Sequence, residues 1–365
     1  MRQLSNACVA HEKVSAPGRS RLQLAAALIC VAVCSASGSA RADEGGISFW
    51  VPGFFGSLAA TPQVPGFSMA NIMYHTDVSA GGDVAFARQV NRGHITANFT
   101  GNVNANLDAN ATLYMAIPQY VFATPVLGGQ AAVAMIVPYG RAQTAVDATV
   151  TGSFGLGPGF SISAGTEQAV TGFGDLVPQF NLRWNQGVHN FMTYVTGNLT
   201  TGRYDASRLA NLGIGHNAID AGGGYTYLDP KAGHEFSATL GFTYNFENVH
   251  TQYQNGIDMH LDVGASQFLS KQFFVGLVGY WYNQLSCDSG AGDRVGCFES
   301  RVVGIGPQIG YIFPVTEGYQ GYLNLKGYKE FAAEHRPDGW NVWLTLAFSP
   351  AAPREAAATK RMVTK

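Results

Sequence analysis

Charge is scarce in this chain. Asp, Glu, Lys and Arg together make up 13% of its 365 residues, about half the roughly 25% of an ordinary soluble protein. The hydrophobic share is nonetheless a normal 46% and the mean hydropathy is +0.03. The missing charge has been replaced by 45 glycines and by Asn, Thr, Gln and Ser. Long apolar runs are also missing from everything after the first 42 residues. A membrane helix needs about 20 apolar residues in succession, so a bundle of spanning helices is excluded. A net charge of -2 leaves no basic stripe, which argues against nucleic acid as a partner. There is no Gly-x-Ser-x-Gly elbow, and the Gly-x-Gly runs near Gly155, Gly213 and Gly304 lack the strand-then-helix setting of a phosphate loop. An enzyme is therefore not expected, nor a cofactor.

What is present begins with an export signal. Arg19 and Arg21 supply its positive region, Leu22 to Val33 its apolar core, and Ala40-Arg41-Ala42 a small-x-small site, so cleavage is expected after Ala42. The bulky Ile29 and Val33 that precede Cys30 and Cys34 argue against a lipoprotein. Cleavage removes Cys8, Cys30 and Cys34 and leaves Cys287 and Cys297, which bracket a Gly/Asp-rich stretch. In an oxidising compartment that pair reads as a local disulfide. No histidine lies near enough in sequence to favour a metal or catalytic pair.

The remainder alternates. From His234 to Phe246, Phe236, Ala238, Leu240, Phe242, Tyr244 and Phe246 share one strand face, opposite Ser237, Thr239, Gly241, Thr243 and Asn245. In Trp340 to Phe348, Val342, Leu344, Leu346 and Phe348 oppose Asn341, Thr345 and Ala347, with Trp343 as the exception. Such period-2 patterning marks strands. The faces opposite the apolar stripes carry Gly, Thr, Asn and Ser rather than Lys and Glu, which favours an apolar outside and a wet inside over a soluble sandwich. Trp184, Tyr280-Trp281-Tyr282, Tyr311, Phe313, Trp340 and Trp343 sit towards strand ends, where interface girdles need amphipathic rings.

Connections alternate in length. Thr124 to Gly129, Asn185 to Val188, Asp229 to Gly233, Ser270 to Gln272 and Pro314 to Gly318 are short. Ala80 to Gly101, Thr151 to Gly172, Thr201 to Asn217, Glu247 to Asn255, Ser286 to Phe298 and Ala332 to Asp338 are long or polar. Brief periplasmic turns and larger external loops characterise outer-membrane barrels. The expected fold is all-β: a transmembrane, antiparallel, up-and-down β-barrel of about 12 strands over residues 67–348. Residues 43–66, rich in Gly, Pro and aromatics, are expected as a plug-like or rim segment, and residues 349–365 as a disordered periplasmic tail.

The candidate residues follow from that geometry. Asp258, His260 and Asp262 share a strand face, as do Gln179, Asn181 and Arg183, and both rows are expected to line the lumen on the substrate path. The first row suits a polar constriction, a proton-sensitive gate or a divalent-ion site. Three ligands from one extended strand rarely converge on one ion, so ordinary lumen residues are the preferred reading, with no metal. Arg183 is expected to pair with an acidic residue across the lumen. Phe154, Leu156 and Phe160 in the Thr151 to Gly172 connection are expected to capture substrate outside.

Several motifs run in order along the second half: Gly172-Phe173-Gly174-Asp175 with Pro178, Thr201-Gly202-Arg203-Tyr204, Asn211-Leu212-Gly213, Gly222-Gly223-Gly224-Tyr225-Thr226-Tyr227-Leu228, Tyr244-Asn245-Phe246-Glu247-Asn248, Tyr253-Gln254-Asn255-Gly256, His260-Leu261-Asp262 and Gly304-Ile305-Gly306-Pro307-Gln308. With the opening Glu44-Gly45-Gly46 and Pro52-Gly53, this series resembles the family named after the meta-pathway of phenol degradation, whose members are assigned to outer-membrane transport and often encoded with aromatic-degradation genes. The resemblance implies passive uptake of small hydrophobic, aromatic-type compounds through an outer-membrane barrel contacting lipid. The competing expectation is a general diffusion porin for polar solutes.

Overall fold

The computed structural model describes residues 48–81, 100–153, 159–293, 297 and 299–352. The expected signal lies outside the described residues, as does the tail from residue 353 onward. Among the described residues there are thirteen strands: β1 (Gly66–Ala80), β2 (Thr100–Val121), β3 (Gln130–Ser153), β4 (Gly159–Phe173), β5 (Val177–Gln186), β6 (His189–Gly197), β7 (Ala218–Asp229), β8 (His234–Asn245), β9 (Asp258–Phe268), β10 (Phe273–Gln284), β11 (Arg301–Thr316), β12 (Tyr319–Glu334) and β13 (Asp338–Pro350). All pairings are antiparallel between neighbours, and β1 closes the ring against β13. β4 and β5 share one place in the ring: β4 pairs with the distal part of β3 (Tyr139↔Phe173 to Ser153↔Gly159) and β5 with its proximal part (Gln130↔Arg183 to Ile136↔Val177). The wall is therefore a closed barrel of twelve strand positions.

Closure is what lets a sheet sit in hydrocarbon, because an open edge would leave backbone N–H and C=O groups without partners. The side chains obey the same rule. Along β8 exposure alternates without a break, with Phe236, Leu240, Phe242 and Tyr244 exposed while Glu235, Ser237, Thr239, Thr243 and Asn245 are buried. Large apolar groups face outward and polar ones inward, the inverse of a soluble core.

Three expectations need correction. Over its described residues Thr151 to Gly172 is not a loop: it is the end of β3 and most of β4, which pair as an extended antiparallel hairpin. β3 has 24 residues, more than twice the 9–11 or so a tilted membrane strand needs, so this hairpin projects past the bilayer. Most of the side chains described in β4 are exposed whichever way they point, so no face is buried and the alternation that would reveal a strand is absent. Phe154 and Leu156 lie outside the described residues; Phe160 belongs to β4. The aromatic girdle is also smaller than expected. Trp281, Tyr311 and Trp340 are exposed, but Tyr280, Tyr282 and Trp343 are buried inside the barrel. β13 continues to Pro350, two residues beyond the expected end.

The inside-out wall makes a direct prediction. Leu240→Arg, on the outward face of β8, should lower stability by about 2–4 kcal/mol, read by denaturant titration of protein folded into lipid vesicles. A loss below about 0.5 kcal/mol, the usual size for an exposed aqueous position, would contradict the assignment of this face to lipid.

Candidate functional site

Residues 48–65 run inside the barrel, and the residues that hold them come from across the ring. The tightest grip is on Gly53. Its N–H donates to Asp262 Oδ1 (2.8 Å) and its carbonyl accepts from Lys326 Nζ (2.6 Å). Lys326 also donates to the carbonyls of Phe54 (3.2 Å) and Phe55 (2.9 Å). Gly53 has a φ of 86°, a conformation that side chains disfavour. A Cβ there would lie 3.0 Å from the Tyr328 ring and 3.1 Å from Tyr280. Further along, Leu58 N–H donates to Glu235 (2.9 Å) and Ser237 (3.0 Å), Ala60 N–H to Thr226 (3.0 Å), and Gln63 N–H to Gln130 (2.9 Å). Gln308 donates to Ser57 Oγ at 2.6 Å. A segment without regular structure meets its backbone needs from polar side chains of the inner wall.

Aromatic contacts complete the docking. Trp50 stacks on His260 with centroids 3.7 Å apart and planes 11° from parallel, and lies 6.1 Å from Tyr194. Phe54 meets Trp343 edge to face at 6.2 Å. That contact accounts for Trp343, the one apolar residue on the polar face of β13: it packs against the segment, with its ring 5.2 Å from Lys326 Nζ. Under Trp50 lies a desolvated polar group. His260 Nε2 is 3.1 Å from both Asp220 Oδ2 and the Tyr194 hydroxyl, and Nδ1 is 3.9 Å from Asp262 Oδ2. Thr243 donates to Asp220 at 2.6 Å. Gly241 makes room for the ring, since a Cβ there would be 2.4 Å from His260 Nε2.

On one side of this segment is a cavity of about 360 Å³. Its wall is largely apolar: Val78 of β1, Leu107, Leu113 and Met115 of β2, Ile136 of β3, and Leu209 from the connection after β6. Trp50 and Phe54 contribute from the segment, while Glu330, Arg336 and Asn341 bring polar atoms. Next to it the wall changes hands at residues 174–176, between β4 and β5. There Asp175, 8% exposed, accepts from Gly202 N–H (2.7 Å), Ile214 N–H (2.9 Å) and Asn198 Nδ2 (3.2 Å). Arg203 N–H bonds the Phe173 carbonyl (3.0 Å), and Leu212 and Gly213 N–H bond the Arg203 carbonyl (3.1 Å each). One buried carboxylate thus gathers residues 198–217 against the place where the barrel strand is interrupted.

The sequence-derived rows divide. Gln179 borders the cavity. Asn181 is 2% exposed, and Arg183 donates to the Thr61 carbonyl at 3.0 Å. Its partner is a backbone oxygen of the segment, and among the described residues no carboxylate lies within salt-bridge range of it. Asp258, His260 and Asp262 are 2%, 1% and 2% exposed and border the segment and its polar support rather than the cavity. Asp258 accepts from Asn245 Nδ2 at 2.8 Å. Sequence reasoning did not single out Trp50, Lys326, Asp220, Glu330 or Arg336. The lysine on the inner face of β12, in the otherwise uncharged stretch 319–328, is the signal that could have found one of them. Cys287 and Cys297 are disulfide-bonded, as their setting predicts. Beside them Asp288 accepts from the Tyr253 hydroxyl, Gln284 (2.6 Å) and Gly256 N–H (2.9 Å). Burial raises its carboxyl above the ordinary aspartate range, although these bonds pull the other way.

Residues 88–346 match the family described as "Putative MetA-pathway of phenol degradation". The chain belongs to this family. Among solved structures it is similar to an outer-membrane channel of Pseudomonas putida F1, at 12% identity and a TM-score of 0.55 over 82% of this chain and 99% of that one. A looser likeness is to a FadL homologue of Pseudomonas aeruginosa, at 10% identity and a TM-score of 0.40 over 86% and 98% of the two chains. A search among curated proteins found no match. The fold shared with the Pseudomonas putida channel is a closed antiparallel β-barrel of the outer-membrane type. The motifs that resemble the family fall where the structure needs them: Gly172 to Asp175, Thr201 to Tyr204 and Asn211 to Gly213 meet at the Asp175 carboxylate, and His260 to Asp262 and Gln308 hold the N-terminal segment.

Lys326→Met keeps the length of the side chain and removes its three bonds. Amide hydrogen exchange across residues 53–60 should then rise at least about tenfold, since each buried charged hydrogen bond contributes roughly 1.5–3 kcal/mol. Unchanged exchange would mean that Lys326 does not retain the segment.

Proposed function

We propose that this protein carries small hydrophobic, aromatic-type molecules passively across the outer membrane. The observation that carries the reading is the apolar cavity bordered by Trp50 and Phe54 of the N-terminal segment. Solutes of that kind cross a lipopolysaccharide leaflet poorly and gain by entering an apolar chamber. Family membership agrees with it, as does the likeness to the Pseudomonas putida outer-membrane channel. In this reading residues 1–42 direct export, residues 43–66 form a plug or hatch, and capture begins at Phe154, Leu156 and Phe160. The path passes Gln179 at the cavity wall, and onward movement requires the segment to loosen from the row Asp258, His260 and Asp262 and from Asn181 and Arg183. The N-terminal segment lying across the lumen also weighs against a general diffusion porin, which needs a standing water-filled path.

Deleting residues 47–55 removes most of the segment's apolar bulk together with the Gly53 grip. The deletion should raise uptake of radiolabelled phenol or toluene severalfold and turn near-zero planar-bilayer conductance into steady current. Unchanged uptake would refute the hatch, and large steady current from the intact protein would favour the porin.

A further inference from the structure

The cavity carries one cation that has no carboxylate partner among the described residues. Arg336, in the connection between β12 and β13, lines it. Its Nε and Nη1 atoms are buried without a hydrogen-bond partner, and among the described residues no carboxylate lies within salt-bridge range. The guanidinium carbon sits 4.8 Å from the centre of the Tyr282 ring, which fixes one face and leaves Nε and Nη1 to bond in the guanidinium plane. The two carboxylates on the same cavity are already engaged. Glu330 accepts from the Tyr280 hydroxyl (2.7 Å) and Gly339 N–H (2.9 Å), and Asp175 has the three donors described above. The backbone around Arg336 is unusual as well, with Ala332 at φ 52° and His335 at φ 54°. Left-handed conformations are disfavoured at such residues, and strain of this kind persists where the surroundings hold a side chain in place.

We infer that Arg336 is a specificity-determining residue and that the cavity takes small amphipaths with a single carboxylate head on an apolar, ring-sized body. The guanidinium fork matches a carboxylate with two parallel hydrogen bonds. A neutral hydrocarbon would leave those buried donors unsatisfied, a state that disfavours binding. A phosphate, with its heavier hydration and second charge, fits badly against Val78, Leu107, Leu113 and Ile136. The inference rests on the transport reading above and sharpens it, from hydrophobic solutes in general to anionic ones with an aromatic or short aliphatic body.

Benzoate and nitrobenzene have nearly the same shape and differ by one negative charge, which makes them suitable probes. Calorimetric titration of the full-length mature protein in detergent should show benzoate binding at least about tenfold more tightly than nitrobenzene, as expected for a charge-assisted bidentate pair. Arg336→Met should abolish that preference and Arg336→Lys should restore part of it, with heat-modifiable gel migration verifying that each variant is folded. Nitrobenzene binding as well as benzoate, or a preference that survives Arg336→Met, would overturn the inference and leave the hydrophobic-transport reading standing. Binding of neither compound to the wild-type protein would overturn both.

Discussion

A β-strand in hydrocarbon has no water to satisfy its backbone, and a barrel meets this constraint by pairing every strand with two neighbours. Most of what is seen here follows from that requirement. The ring closes β1 on β13, and its outer face carries Phe, Leu, Ile and Tyr. The polar groups excluded from that face are collected inside, where their own hydrogen-bonding needs have to be met. Twelve strand positions enclose too little space for a wide channel and too much for side chains alone to fill. In this protein the N-terminal segment supplies the rest of the packing.

That arrangement places several charges where water is largely excluded. Lys326, Asp262, Asp220, Glu235 and Glu330 are each 6% exposed or less, a costly position unless each is answered by hydrogen bonds. The answers come from backbone groups of the segment and from neighbouring side chains. Docking the segment therefore does more than fill space, because its amides and carbonyls satisfy the wall that surrounds it. Losing one contact exposes others, so these contacts support one another.

The architecture was legible in the sequence because lipid imposes a strict period-2 pattern on any strand it touches. β8 and β13 could be read residue by residue, and the closed count of twelve followed from loop lengths. β4 was not legible, since beyond the bilayer neither face is buried and the pattern fades. Trp343, Tyr280 and Tyr282 were misread as interface rings because sequence shows that a residue is aromatic but not which side of the wall it faces. Asp175 stood inside a visible motif, but its work is to bind backbone N–H groups from residues 202 and 214, which carry no side-chain signature. Lys326 and Arg336 become meaningful through partners, or the lack of them, that are brought together by closure of the barrel.

The central claim is that apolar side chains face lipid while Trp343 is buried inside against the N-terminal segment. Single-tryptophan variants that keep either Trp281 or Trp343, with the remaining tryptophans changed to Phe, can be folded into vesicles of lipids brominated along the acyl chains. Trp281 fluorescence should be quenched strongly and Trp343 fluorescence far less. Equal quenching of the two would place Trp343 against lipid and contradict the account.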